Sequence, residues 1–374
     1  MINRLLFIVS LLCFVHFNFA QTTMHTITIG SDVRTYYVYR PTAFNQQTES
    51  LPVIFVLHGL GGNASQMMLA GFNQIADTAR VIMVYPEGKL NSYNQQAWAN
   101  GTALQSNTDD VQFINVLIDT LYYRYNINLS KVYVAGLSMG GIMAHRLGCR
   151  LSNRIAAIAS MTGTISTDDL TNCTPAFPMP VIHWHGTADG TVPYDSGQLP
   201  TLELVPATMH YWLSKNNCTP VDSVITAIPN NAADGYTIDK IEYSNCPGTV
   251  KVELWRINNG PHTWFYQPAN DADGAKEFWK FFRQFQHSSP TPASVREIEE
   301  SKPIRVYPNP SINGWIQFEG ISNSAVIEVY SLQGKILLQS SIQSSEKLLL
   351  EQKGIYLIKV IQENTISTHK VVIE

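Results

Sequence analysis

Gly136-Leu137-Ser138-Met139-Gly140-Gly141 sets a serine in the pattern G-x-S-x-G. The run before it, Lys131-Val132-Tyr133-Val134-Ala135, reads as a strand, and Ile142 to Leu151 reads as a helix. Glycines allow a strained strand-to-helix turn with the serine at its apex, and that context makes Ser138 a candidate nucleophile rather than an ordinary turn residue. A hydroxyl is a poor nucleophile until a base stands beside it, and the base needs an acid to orient it. After such a turn the acid and then the histidine follow the serine along the chain. His262, in Asn258-Asn259-Gly260-Pro261-His262-Thr263-Trp264, lies just past the last apolar run of the region, where a loop can reach the serine. Asp189, in His185-Gly186-Thr187-Ala188-Asp189-Gly190-Thr191-Val192-Pro193-Tyr194, follows a strand ending near Trp184, with Asp195 as the runner-up. The other histidines fit less well. His183 and His185 precede that acid, and His145, two turns into the helix, should point away from the serine. His210 reads as core or surface, His287 falls at the linker, and His369 lies in the C-terminal region.

Attack on a carbonyl creates an oxyanion that needs donors. The expected pair is the backbone N–H of Met139 and that of Leu60, in the glycine-rich loop His58-Gly59-Leu60-Gly61-Gly62-Asn63-Ala64. That loop matches no phosphate-binding spacing. Trp98, Tyr194 and Trp264 are candidates to line the substrate cleft, together with Trp184 and Phe265, although aromatic residues of this kind also serve as core. No C-x-x-C and no Cys/His cluster at ligand spacing occurs, so neither metal nor cofactor is expected.

Elements to position these groups are legible around them. Val53–Leu57, Val81–Tyr85, Lys131–Ala135, Ile155–Ala159, Pro180–Trp184 and Val250–Ile257 read as strands. Val111–Tyr122, Ile142–Leu151 and Ala275–Phe285 have helical spacing. Strands alternating with helices imply a mostly parallel sheet covered on both faces, an α/β fold.

The pattern changes near His287. Residues 288–304 contain Ser288-Ser289-Pro290-Thr291-Pro292 and a charged patch, Arg296 to Lys302, and read as a linker. Residues 305–374 hold short strand-like runs and no helix, as in a small all-β sandwich. At the other end, Arg4, the apolar run Leu5–Val15 and Phe19-Ala20 before Gln21 read as a signal peptide over residues 1–20. A membrane anchor is the alternative, but His16 and Asn18 interrupt the run, and no stable membrane span is expected. The catalytic region is then 21–287. Cys13 leaves with the signal, and Cys149, Cys173, Cys218 and Cys246 remain, an even number in an exported chain. Three pairings are possible. The sequence-neighbour pairing, Cys149–Cys173 and Cys218–Cys246, closes two short loops and is preferred. The 374 residues are 45% hydrophobic and 14% charged with a formal net charge of −4, and no Lys/Arg cluster suggests a nucleic-acid partner.

Several of these segments together resemble a known esterase family. His58–Ala64, Asp109-Asp110-Val111-Gln112-Phe113-Ile114, Gly136–Gly141, His185–Asp189, Val192-Pro193-Tyr194 and His262-Thr263-Trp264 are similar to the family that joins poly(3-hydroxybutyrate) depolymerases with feruloyl and acetylxylan esterases. The resemblance implies an α/β-hydrolase fold and the triad Ser138, Asp189 and His262, and it supports the sequence-neighbour disulfides. This chain departs from the family pattern around the base histidine, with Asn258-Asn259-Gly260-Pro261 before it and Phe265 after Trp264. Val306-Tyr307-Pro308-Asn309-Pro310, Val329–Lys335, Gly354–Val360 and Lys370–Ile373 resemble the sorting domain of the type IX (Por) secretion system. That implies secretion machinery as a partner and an extracellular or cell-surface destination.

The expected function is a secreted serine esterase acting on feruloyl or acetyl esters of plant polysaccharides. A polyester depolymerase is the near alternative, and a non-catalytic hydrolase-fold binding protein the alternative of another class. Intact Ser138, Asp189 and His262 speak against the last. A serine peptidase of the same fold would usually carry a gating domain such as a propeller, and no repeats occur. A substrate-binding role for the tail would need Trp315, Phe318 and Tyr330 on one face.

Overall fold

Runs of four or five apolar residues without alternation can be buried on both faces of a sheet. The computed structural model describes residues 21–197, 199–219, 223–243, 245–288, 304–321, 324–331, 335–343, 346–362 and 365–374. The signal-peptide reading for 1–20 and most of the linker reading fall outside these residues. The chain divides into two compact units, Met1–Pro292 and Ala293–Glu374.

The first unit opens with the hairpin β1 (Gln21–Ile29) and β2 (Asp32–Arg40), followed by β3 (Val53–Leu57), α1 (Ala64–Met68), α2 (Phe72–Ala79) and β4 (Ile82–Pro86). A small pair, β5 (Lys89–Leu90) and β6 (Gln96–Ala97), leads to α3 (Asp110–Tyr125), β7 (Val132–Leu137), α4 (Met139–Arg150) and β8 (Ala157–Met161). Then come α5 (Thr167–Asn172), β9 (Val181–Gly186), α6 (Val205–Lys215), β10 (Ser223–Ala227), β11 (Thr237–Tyr243), β12 (Val252–Asn258) and α7 (Gly274–Phe282). Ten strands form one sheet in the order β1-β2-β4-β3-β7-β8-β9-β12-β11-β10. The six strands expected from sequence are its parallel centre, β4 to β12. An antiparallel pair closes each edge.

Both faces of the centre are covered. Val53, Phe55 and Leu57 of β3 pack with Phe113, Met143 and Trp212, whereas Ile54 and Val56 face Phe72, Ile75 and Phe278. That two-residue alternation splits one apolar run between two cores. Trp98, Trp184 and Phe265 are fully buried. His287, expected at the linker, belongs to the first unit: it is buried, and its backbone N–H donates to Ser130 O at 2.7 Å.

Cys149–Cys173 and Cys218–Cys246 are disulfide-bonded, with Cα–Cα distances of 6.2 and 4.0 Å and sequence separations of 24 and 28. Closing loops of this length is worth roughly 3.5 kcal/mol each in the chain-entropy account. Thiol titration of residues 21–374 under denaturing, non-reducing conditions should therefore find no reactive thiol. Four reactive thiols would contradict the pairing.

The second unit is all β: β13 (Arg305–Tyr307), β14 (Trp315–Glu319), β15 (Ser324–Tyr330), β16 (Ile336–Gln343), β17 (Lys347–Leu349), β18 (Gly354–Gln362) and β19 (Thr365–Ile373). A three-stranded sheet, β13-β14-β17, and a four-stranded sheet, β16-β15-β18-β19, share a core of Ile316, Phe318, Ile327, Val329, Ile358, Val360 and Val371. Phe318 is buried while Trp315, three residues earlier on the same strand, is 44% exposed, so the two aromatics do not form one binding face.

No helix among the described residues is long and apolar enough to cross a membrane. Among those residues no group of three His, Cys, Asp or Glu side chains is placed to hold a metal ion.

Candidate active site

The residues with chemistry follow the carboxyl ends of parallel strands, where open α/β sheets place their clefts. Ser138 sits between β7 and α4 with φ 55° and ψ −120°, a sparsely populated backbone state for a non-glycine residue. Glycines permit the bend. A Cβ on Gly136 would overlap the Gly140 carbonyl, and one on Gly140 would overlap the carbonyls of Leu57 and His58. The turn therefore needs backbone packed directly on backbone.

His262, in the loop after β12, places Nε2 2.9 Å from Ser138 Oγ and Nδ1 2.7 Å from Asp189 Oδ2. Its side chain is 20% exposed, whereas the Asp189 side chain is fully buried. Asp189, in the turn after β9, accepts the N–H groups of Thr191 and Val192 on Oδ1 at 2.8 and 2.9 Å. Burial opposes its ionisation, but the donors from His185, His262 and Val192 outweigh burial and hold the carboxyl well below the usual carboxylate range. Asp195, the runner-up, is exposed.

The loop after β3 lies against the serine. Gly62 N–H is spent on Gly59 O and Gly61 N–H on Gln96 O, which fixes the turn around Leu60. His58 sets its other side. Its Nε2 accepts the Gly88 N–H at 2.9 Å, so the neutral ring donates from Nδ1 to Gly59 O at 2.8 Å. Burial pushes this imidazole down to about 4. Met139 opens α4, where backbone N–H groups lack helical partners and point toward the serine end.

Ser138 and His262 open into a cavity of about 680 Å³. Leu60, Met67, Leu69, Trp264 and Tyr266 give it apolar walls, and Gln74, Gln267, Asp273 and Lys276 supply polar groups. Of the five aromatic residues named as cleft candidates, the structure places only Trp264 on this cavity; Trp184 and Phe265 are core. Trp98 is instead fully buried and donates its indole N–H to His58 O at 2.8 Å, because that carbonyl would otherwise be an unpaired acceptor in the core. Tyr194 is packed edge-on to the His185 ring rather than on the cavity wall. The walls from α1, α2 and the 266–276 segment carry no motif, so sequence reasoning missed them. His145 does turn away from Ser138, but toward His183.

Comparison with known proteins agrees with the fold. Residues 42–205 match the phospholipase/carboxylesterase family, and residues 305–374 match the secretion system C-terminal sorting domain. Feruloyl esterase B of Piromyces equi is 30% identical over 249 residues, covering 63% of this chain and 42% of that protein. A Nocardia uniformis subsp. tsuyamanensis protein named "Putative esterase NocK" is 32% identical over 265 residues, covering 66% of this chain and 74% of its own length. A poly(3-hydroxyalkanoate) depolymerase of Paucimonas lemoignei, 21% identical over 239 residues, and a poly(3-hydroxybutyrate) depolymerase of Ralstonia pickettii, 29% identical over 146 residues, are also similar. The solved acetyl xylan esterase from Aspergillus awamori superposes with a TM-score of 0.50 at 12% identity, covering 70% of this chain and 99% of that one, a likeness of fold. A strained serine after a central parallel strand, a ten-stranded hydrolase sheet and this set of relatives agree: the chain belongs to the phospholipase/carboxylesterase family of α/β-hydrolases and carries a secretion-system sorting domain.

Proposed function

We propose that this protein is an exported serine esterase that cleaves carboxylic esters through an acyl-enzyme. His262 Nε2 takes the Ser138 proton as Oγ attacks the ester carbonyl. The Leu60 and Met139 N–H groups stabilise the oxyanion, and the protonated ring returns the proton to the departing alcohol. Water then repeats the sequence on the acyl-serine. Asp189 holds the ring so that Nε2 faces the serine and stabilises the imidazolium. The observation that carries the reading is the unbroken contact from Asp189 Oδ2 through His262 to Ser138 Oγ, at 2.7 and 2.9 Å, beside a cavity of about 680 Å³.

The favoured substrates are feruloyl or acetyl esters of plant polysaccharides. Relatives named for those activities support this. So do cavity walls that pair Trp264 and Tyr266 with polar groups able to meet sugar hydroxyls. Relatives named as poly(3-hydroxyalkanoate) depolymerases support polyesters as the second reading. Residues 21–287 carry catalysis, and 305–374 carry sorting to the outside of the cell.

A hydrolysis panel of methyl ferulate, acetylated xylan, poly(3-hydroxybutyrate) and p-nitrophenyl esters tests the reading. Highest kcat/KM on the first two supports it, and activity confined to the polymer film moves the protein to the second. A chain ending at His287 should fold and keep its small-ester turnover, since the first unit has its own two cores. In the native host the same deletion should strand active enzyme in the periplasm. If it instead lost activity only on insoluble polymer, the tail would be a binding module.

A further inference from the structure

Behind the Asp189 turn stands a row of three fully buried histidines. His183 and His185 alternate along β9 and His145 lies on α4. Trp212 of α6 donates its indole N–H to His145 Nδ1 at 2.9 Å. His145 Nε2 is 3.0 Å from the Gly163 carbonyl oxygen and 3.3 Å from His183 Nδ1. His183 Nε2 is 3.1 Å from His185 Nδ1. His185 Nε2 then lies 2.8 Å from the Val192 carbonyl oxygen and 3.3 Å from Asp189 Oδ2.

Every proton in this row has one place to be. An indole N–H only donates, so His145 Nδ1 accepts and the neutral ring carries its proton on Nε2. At the far end His185 Nε2 faces a carbonyl and a carboxylate, both acceptors, so Nε2 carries the proton and Nδ1 accepts. His183 between them must accept at Nδ1 and donate from Nε2. The two ends demand the same direction, and an extra proton on an inner nitrogen would set two N–H groups against each other. Burial acts the same way. It pushes His145 down to about 3 and His183 well below the ordinary imidazole range.

We propose that the row Trp212–His145–His183–His185 is a positioning device for Asp189: it fixes the His185 Nε2 N–H, which bonds the Val192 carbonyl at 2.8 Å and faces Oδ2 at 3.3 Å, and so holds the turn and its carboxylate in the rotamer that meets His262. The inference rests on reading Asp189 as the acid of the triad. Without the row, Oδ1 would still be anchored by Thr191 and Val192, but Oδ2 would be held only by the His262 ring that it must orient. His185 also bonds the Val192 carbonyl, so the 189–192 turn is fixed through both side chain and backbone. Other titratable groups around the row are accounted for. Tyr194 sets its ring against His185, and Arg256, the register partner of His185 on β12, is paired with Asp239. None of the three histidines lines the cavity, so they act through Asp189 and not on substrate.

The test compares His185→Phe, which keeps the bulk and removes both nitrogens, with His185→Gln, which keeps one acceptor and one donor. Asp189→Asn is measured alongside. For p-nitrophenyl acetate, His185→Phe should lower kcat about 10–100-fold, the scale of a misplaced catalytic group, with KM little changed. The acid limb of its kcat/KM profile should move to higher pH, because a carboxylate with one donor fewer presents more negative charge to the His262 ring. His185→Gln should restore most of kcat and the position of that limb. A packing role alone would lower the melting temperature and leave both kcat per folded molecule and the acid limb unchanged in His185→Phe, and that result overturns the proposal. Wild-type turnover in Asp189→Asn would instead overturn the triad reading itself. Should His185→Phe fail to fold, ¹⁵N-histidine NMR of the wild-type protein decides. The three rings should be protonated at Nε2 alone, and His145 and His183 should not titrate between about pH 5 and 8, where ordinary histidines do. A ring protonated at Nδ1, or His145 or His183 titrating in that range, overturns the row.

Discussion

Ser138→Ala is expected to lower kcat by about 10⁴–10⁶-fold, the scale seen when a triad nucleophile is removed, while leaving the fold intact. The hydroxyl reaches the His262 ring, and alanine meets the same backbone strain at φ 55° that serine already bears. His262→Ala should fall in the same range. Asp189→Asn should lose somewhat less, since an amide in that place would donate to Nδ1 and leave Nε2 protonated, unable to accept from the serine. Burst kinetics with a p-nitrophenyl ester separate acylation from turnover: Ser138→Ala should show no burst at all. Activity near wild type in that variant would falsify the mechanism. Normal activity in Asp189→Asn together with loss in Asp195→Asn would move the acid to Asp195.

Gly140→Ala should be among the most damaging single methyl additions in the first unit. Its Cβ would overlap the Leu57 carbonyl and lie 2.6 Å from that of His58, both backbone atoms at the start of the loop that carries Leu60. Neither can yield as a flexible side chain would. The nucleophile turn and the Leu60 turn must move apart, which separates the serine from the proposed oxyanion donor. A displacement of about 1 Å between such groups can cost about 100-fold in rate, and overpacking of this kind costs about 3 kcal/mol of stability. Gly190→Ala is the matched control, because a Cβ there meets nothing within 4 Å. Both variants are compared by kcat/KM on a soluble ester and by melting temperature. Equal behaviour of the two would show that the tight backbone contact does not constrain the site.

The parallel centre of the sheet was readable from the chain because burial on both faces leaves an uninterrupted apolar run, as in Val53–Leu57. The antiparallel edges were not. On β10 all five residues, Ser223–Ala227, are exposed, and on β11 buried positions mix with half-exposed ones, so neither carries an apolar signal. The hairpin of β1 and β2 was missed because its alternation is blurred: on β2 the charged Arg34 is buried on the inner side, while Val33, Tyr37 and Tyr39 lie on the outer side.

For the site, the sequence by itself determined what local chain geometry controls. The glycine-flanked turn at Ser138 is a short-range property, and chain order narrowed the candidate acid and base to loops following two later strands. Which histidine meets the serine is a contact across 124 residues, and which carboxylate meets that histidine is one across 73. Contacts at such separations are set by strand order and helix packing, which a local pattern does not encode. The same holds for Trp98, where an aromatic residue suited equally to a cleft or a core turned out buried because its indole caps the His58 carbonyl. It holds most of all for the histidine row. His145, His183 and His185 looked like poor candidates one at a time, on a helix and on a strand before the acid. Only the packing of α4 and α6 against β9 brings their nitrogens within hydrogen-bonding distance, where a single indole N–H decides the direction of every bond that follows.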